Sequence, residues 1–362
     1  MTRATRRTTA AGQRRRSAMA APLLSAVLAV GACGNTAAHP PDHGSKTSPD
    51  AGKAHYLLAV RSPGTSICGD GVTQLLTASG RPVALVGRPA GICNWSTVTA
   101  GVSPGRPSRI FFLRGLTTDR AHMRLYRMRI DEHGKIVELA PVPGMTSADD
   151  AIDDIAVTPD GTRFAFPTSR PVKSGMAYGV VVTSAAGRPR TTLWAGSGWS
   201  PLVGLSWAAD GRTLQIAQRA NPGIRVVDTG TAHDLARDSR LVVPGSGWYG
   251  DVDGETGTLS TDGTQTYFVT HDHLRAIDRV IAAPVSGGGA ARVLFERRYR
   301  PAYVAGKPPK PANLLGDAIC REGDGAHLLV AGKDRSFRIT IATHAVETLS
   351  LSFTGTQEEL AC

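Results

Sequence analysis

The sequence is poor in aromatic residues, which make up 6% of its 362 residues, and it holds only five cysteines. It contains no His-Glu-x-x-His pair and no P-loop, and its one Gly-x-Ser-x-Gly string, 101–105, belongs to a recurring hairpin and not to a strand-to-helix elbow. Those absences remove the common signatures of serine hydrolases, zinc peptidases and P-loop nucleotide enzymes. The Gly-rich run 286–290 lacks a following Lys-Ser/Thr and reads as a hairpin turn, not a phosphate cradle. No Cys-x-x-Cys occurs, which argues against structural zinc. Long helical periodicity is scarce beyond residue 55. In its place stand Val, Ile and Thr in short runs of period two, broken by many of the 41 Gly and 23 Pro. That is the pattern of an all-β chain.

The formal net charge is +11, but six of those charges are Arg3, Arg6, Arg7, Arg14, Arg15 and Arg16. The chain beyond them carries only +5, too little to suggest a nucleic-acid partner. The six arginines precede a short apolar stretch, "AMAAPLLSAVLAVGAC", with no acid among them. A basic segment, a short apolar segment and small residues form a secretory signal, and the stretch is short for a permanent membrane span. Val30-Gly31-Ala32-Cys33 resembles the bacterial lipobox. The resemblance implies diacylglycerol transfer to Cys33, cleavage before it, and a lipid bilayer as the first partner. Residues 1–32 are then a lipoprotein signal peptide. Residues 33–54 hold no large apolar side chain and are expected to be a flexible linker. His39 and His43 in it read as solvated linker residues.

From residue 55 to 362 one hairpin recurs. "GVSPGRPSRIFFLR" (101–114), "AVTPDGTRFAFPTS" (156–169), "LSWAADGRTLQIAQ" (205–218), "TLSTDGTQTYFVT" (258–270) and "ICREGDGAHLLVAG" (319–332) are each a strand, a turn and a strand. A second hairpin follows each, as in "MRLYRMRIDEHGKIVELA" (123–140), "IRVVDTGTAHDLARD" (224–238) and "FRITIATHAVETLSL" (337–351), and another occupies 72–86. "HYLLAV" (55–60) lacks its preceding strand, which "TQEELAC" at the C-terminus would supply. One sheet would then combine both ends of the chain, which is how ring-shaped repeat proteins hide their edges. The expected fold is an all-β propeller of six four-stranded blades; seven is the alternative count.

The turns Thr158-Pro159-Asp160-Gly161 and Ser206-Trp207-Ala208-Ala209-Asp210-Gly211 resemble the TolB-like, WD-repeat-related propeller family, whose hallmark is an apolar-Ser-x-Pro-Asp-Gly turn. Asp and Gly have local reasons to be there. Gly reaches positive φ at no steric cost and Asp caps the turn. They are structural residues, not catalytic ones.

Besides Cys33 there are four cysteines, and an exported chain with an even number suggests disulfides. Three pairings exist. Reflection through the 72–86 hairpin places Cys68 opposite Cys93 on an adjacent strand. Cys320 and Cys362 end the equivalent runs "GDAIC" and "EELAC", so their bond would fasten the C-terminus to its neighbouring blade.

Chemistry-bearing candidates are few. His271 and His273 face one side of a strand and offer two ligands of an incomplete metal site; the alternative is a polar hairpin end. Asp251, Asp253 and Glu255 alternate as in half of a calcium loop, though a polar loop is the simpler reading. "SADDAIDD" (147–154) marks an acidic rim or a solvated loop. The twin runs "GSGWS" and "GSGWY" place Trp199, Trp248 and Tyr249 in equivalent loops, as a sugar or peptide platform or as packing between blades. No cofactor is indicated. The expected function is a lipid-anchored extracytoplasmic module that binds an envelope protein, peptide or glycan without chemistry. A hydrolase or lyase acting on carbohydrate or peptide is the alternative.

Overall fold

The computed structural model describes residues 55–362, apart from 63–67, 69–70, 102–108, 120–121, 148–153, 197, 219–222, 245–250, 273–274, 288, 299–314, 316–317, 333–334 and 350–356. Cys33, the signal segment and the linker therefore lie outside the described residues, as do Trp248, Tyr249 and His273.

The chain opens with β1 (Tyr56–Ser62), β2 (Val72–Thr77) and β3 (Pro82–Leu85). Four continuous sheets follow: β4 (Ile92–Gly101), β5 (Ile110–Thr117), β6 (Met123–Ile130) and β7 (Ile136–Ser147); β8 (Ala156–Val157), β9 (Arg163–Val172), β10 (Gly175–Ser184) and β11 (Arg190–Trp194); β12 (Leu202–Trp207), β13 (Thr213–Gln218), β14 (Ile224–Asp228), the one-turn helix α1 (Leu235–Asp238) and β15 (Arg240–Val243); β16 (Asp251–Leu259), β17 (Gln265–Asp272), β18 (Ile277–Pro284) and β19 (Arg292–Arg298). A fifth contains β20 (Ile319–Arg321), β21 (His327–Val330), β22 (Ser336–Thr340) and β23 (Val346–Leu349). The last strand, β24 (Gln357–Ala361), returns to pair antiparallel with β1, with Ala361 opposite Leu58. The sixth sheet thus has the order β24-β1-β2-β3, and both chain ends build it.

The first strands of the six sheets touch in a closed circuit, β4 to β8, β12, β16, β20, β24 and back to β4, so they line the middle of the ring. The described fold is a six-bladed β-propeller, as the repeat predicts. Its core explains the apolar runs. Buried side chains form six clusters, and each lies between two neighbouring blades. Tyr56, Leu58 and Val60 pack toward the β4–β7 blade, while Leu57 and Ala59 pack toward the β20–β23 blade. Alternate residues point to opposite faces, so a sheet covered on both faces needs apolar residues at every position. Phe111 and Phe112 divide in the same way, and Phe112 meets Phe164 edge-on across the blade boundary at 5.0 Å. Burying each such ring contributes about 1.5–3 kcal/mol.

Three local expectations change. The run 224–238 was expected to be strand, turn and strand, but its second half is α1, capped by Asp234, whose side chain accepts from the Arg237 amide at 2.9 Å. The outer strand is β15 instead. Asp234 is a favoured cap residue, and Leu235, Ala236 and Arg237 after it are strong helix formers. Asp251, Asp253 and Glu255 fall in strand β16, not in a loop; pairing with β17 outweighs their low strand propensity, with a register shift between Val252 and Gly257. The Cys68–Cys93 bond forms, but not across a hairpin: Cys68 follows β1 in the closing blade and Cys93 lies in β4 of the next. The second bond joins Cys320 of β20 to Cys362 beside β24. The blade made from the two chain ends is therefore tied covalently to both neighbours.

Candidate functional face

The strand order gives the ring two unlike faces. Turns joining the first strand to the second, and the third to the fourth, lie on one face, here named the turn face. Connections from second to third strand, and from each blade to the next, lie on the loop face.

Three acids of the turn face, Asp160, Asp210 and Asp262, are bound within their own turns. Asp160 accepts the Thr158 hydroxyl at 2.5 Å and the Thr162 amide at 3.0 Å, with Gly161 at φ 71°. Asp210 accepts the Arg212 and Thr213 amides, both at 2.8 Å. Asp262 accepts the Ser260 hydroxyl at 2.6 Å and the Thr264 amide at 3.0 Å. All three carboxyls are held below the usual range. For Asp262 the Ser260 hydroxyl is the leading cause; for Asp160 and Asp210 burial pushes upward first, and hydroxyl and amide donors outweigh it. The turns also link blades. Arg163 donates to the Gly211 carbonyl at 2.5 Å and lies 5.2 Å from the Trp207 ring.

The loop face is different in kind. Its blade-to-blade connections span 86–91, 148–155, 195–201, 244–250, 299–318 and 350–356; they run from six to twenty residues and vary in sequence, with Gly-Ser-Gly-Trp shared by 195–201 and 244–250. Beneath them lies a layer of buried polar side chains toward the ends of the second strands: Thr117, Thr168, Gln218, Thr270 and His271. Asp154, just before β8, accepts its neighbour's amide (Ile155) at 2.7 Å and the Leu205 amide of the next blade at 2.9 Å. Burial is the main influence on its carboxyl and raises it, against those amides and the charge of Arg114. That group joins three blades, because Arg114 belongs to β5, Asp154 precedes β8, and Leu205 is in β12.

His271 is paired rather than open. Across β17 and β18 it stands opposite Asp278, and its Nδ1 is 2.9 Å from Asp278 Oδ1, with both side chains buried. The other Asp278 oxygen accepts the Leu315 amide at 3.2 Å, which docks the end of the 299–318 connection on this blade. Asp272 caps the following turn by accepting the Arg275 amide at 3.0 Å. An imidazole oriented by a carboxylate is half of a general base. Asp278 carried no motif in the sequence. The short β17–β18 hairpin was the available signal, since it fixes residue 278 opposite residue 271.

Trp199 is half-buried against the core between the β8–β11 and β12–β15 blades, with the Arg225 guanidinium 5.2 Å from its ring. Arg225 is in turn fastened to Ser239, through its hydroxyl at 2.8 Å and its carbonyl at 3.0 Å. Trp199 and His271 thus belong to the same face but to different blade junctions.

No family model matches the chain, and no curated protein matches it. Solved structures do. TolB from Acinetobacter baumannii has a TM-score of 0.54 at 12% identity, over 85% of this chain and 67% of that one. The structure of a nidogen/laminin complex contains a chain matching with a TM-score of 0.52 at 12% identity, over 84% of this chain and 97% of that one. TolB from Agrobacterium tumefaciens gives 0.48 at 13% identity. The class is a β-propeller similar in fold to TolB, and at such identities the likeness is one of fold.

Proposed function

We propose that the chain is exported, cleaved before Cys33 and anchored to the outer side of the cell membrane through acyl chains on that residue. Its propeller then binds an envelope protein, peptide or glycan on the loop face and does no chemistry. The observation that carries this reading is the contrast between the faces. Asp160, Asp210 and Asp262 are consumed by their own turns, whereas the loop face joins connections of six to twenty residues to a buried polar layer. Loops on a rigid scaffold are the usual place for recognition.

Two experiments test it. The intact mass of protein extracted from its native membrane should lack residues 1–32 and carry a diacylglyceryl-sized increment on Cys33. An unmodified chain beginning at Met1 would remove the anchor. Replacing 299–314 with a short Gly-Ser link should abolish capture of the envelope partner without lowering the melting temperature. Undiminished capture would move the site elsewhere.

The second reading, a hydrolase or lyase, is favoured by the buried His271–Asp278 pair. It requires turnover that His271→Asn abolishes in a chain that still melts normally.

A further inference from the structure

On the turn face the repeat is interrupted at the closing blade. The closing blade is assembled from the two chain ends, so no turn joins β24 to β1. His55 stands at that gap, immediately before β1, with its carbonyl held by the Ala78 amide at 3.0 Å. The adjacent turn, between β20 and β21, faces it with Glu322 and Asp324. One ligating atom from each of His55, Glu322 and Asp324 can be chosen so that all lie within 4.8 Å of one another.

The geometry points to a binding site for a first-row divalent cation at this seam, with His55, Glu322 and Asp324 as its protein ligands. Three features carry the assignment. Glu322 departs from the repeat: the same turn position holds Thr158, Ala208 and Ser260 elsewhere. Those small side chains suffice to build the turn, so the turn does not explain a carboxylate whose side chain is 1% exposed. Burying such a group is unfavourable without charged partners.

Each acidic ligand is also aimed by a neighbour. Arg338 of β22 holds both oxygens of Glu322, with Nε at 2.9 Å from one and Nη2 at 2.6 Å from the other. His327 Nδ1 lies 2.6 Å from Asp324 Oδ2, while Asp324 Oδ1 accepts the Ala326 amide at 2.8 Å. Groups that orient ligands in this way are typical of metal sites.

Finally, the charge and donor types fit. Two carboxylates and one guanidinium leave one negative charge when the imidazoles are neutral. One imidazole nitrogen with two carboxylates suits zinc-like ions better than calcium or magnesium, which prefer oxygen alone. A bound ion would join the residue at which the chain enters the propeller to the neighbouring blade. It would reinforce the seam that Cys320–Cys362 also crosses. This site lies on the turn face and does not depend on what the loop face binds.

The test is equilibrium dialysis of the full chain, stripped with chelator, against Zn²⁺. Wild type is compared with His55→Ala and His327→Gln. His39 and His43 are common to all three proteins, so stray binding cancels. The expected result is one Zn²⁺ more in wild type than in His55→Ala, and affinity lowered roughly 10–100-fold in His327→Gln. Zn²⁺ should raise the melting temperature of wild type and not of His55→Ala, while the metal-free proteins melt together. Equal Zn²⁺ content in wild type and His55→Ala, or none in either, would overturn the site and leave the cluster an ion-pair network alone.

Discussion

On the turn face, Asp160, Asp210, Asp262 and Asp324 perform the same task, each accepting amides of the turn that follows it. On the loop face the connections run from six to twenty residues, and the Gly-Ser-Gly-Trp string recurs in 195–201 and 244–250 without setting a rule for the others. The connection 86–91 and the connection 299–318 occupy equivalent places in the ring, yet one is six residues long and the other twenty. The same strands end at both faces, so the difference does not come from the sheets. A turn that must reverse two strands within a few residues has few chemical solutions. A connection between blades has many, which leaves its sequence free to serve recognition.

That comparison predicts that turn-face changes cost stability and loop-face changes cost binding. The largest stability effect belongs to the seam. Cys320→Ala with Cys362→Ala opens a bond spanning 42 residues, worth about 4 kcal/mol in the unfolded-chain account. The urea midpoint should fall accordingly, and an unchanged midpoint would mean that β24 pairing alone closes the ring. Next comes Arg163→Ala, which removes the Gly211 carbonyl contact and the Trp207 contact between two blades. A loss of about 2 kcal/mol is expected from equilibrium unfolding. Asp210→Ala, which leaves two turn amides unpartnered, should cost about 1 kcal/mol.

Acid sharpens the same contrast. The turn carboxyls are depressed in the folded chain, so their contribution is fully present above the unfolded value of roughly 4 and is lost as pH falls through the folded values. Asp154 on the loop face has the opposite sign: its carboxyl is raised, so its contribution is present at low pH and is lost as pH rises through the folded value. Melting followed from pH 5 downward should therefore show a decline, and Asp160→Asn should make it shallower. The smallest effect is expected at exposed loop-face positions. Lys173→Ala and Arg275→Ala should change stability by less than about 0.5 kcal/mol.

The contrast also explains what could be read from the sequence. The Asp-Gly pairs revealed the blades, because a tight turn demands positive φ at Gly161, Gly211, Gly263 and Gly325. The closing of the ring was legible because "HYLLAV" lacked a partner strand that "TQEELAC" could supply. The Cys68–Cys93 pairing was legible too, but its reason was not: hairpin reflection does not show that Cys93 belongs to the next blade. Helix α1 was hidden because it is a single turn, too short to show helical periodicity. At the loop face, Asp154 was visible only as one acid in an acidic run. Asp278 became meaningful only once strand register set it beside His271. Contacts between blades depend on which loops the ring brings together, and local pattern does not encode that.

The central claim is that the loop face recognises a partner while the turn face holds the ring. The most direct measurement is photocrosslinking in intact cells, with a photoreactive side chain placed singly at Lys173 or Arg275 on the loop face, or at Ala186, Ser286 or Thr343 on the turn face. All five positions are exposed. The account predicts partner adducts from Lys173 or Arg275 and none from the other three. Adducts from the turn-face positions with none from the loop face would contradict it.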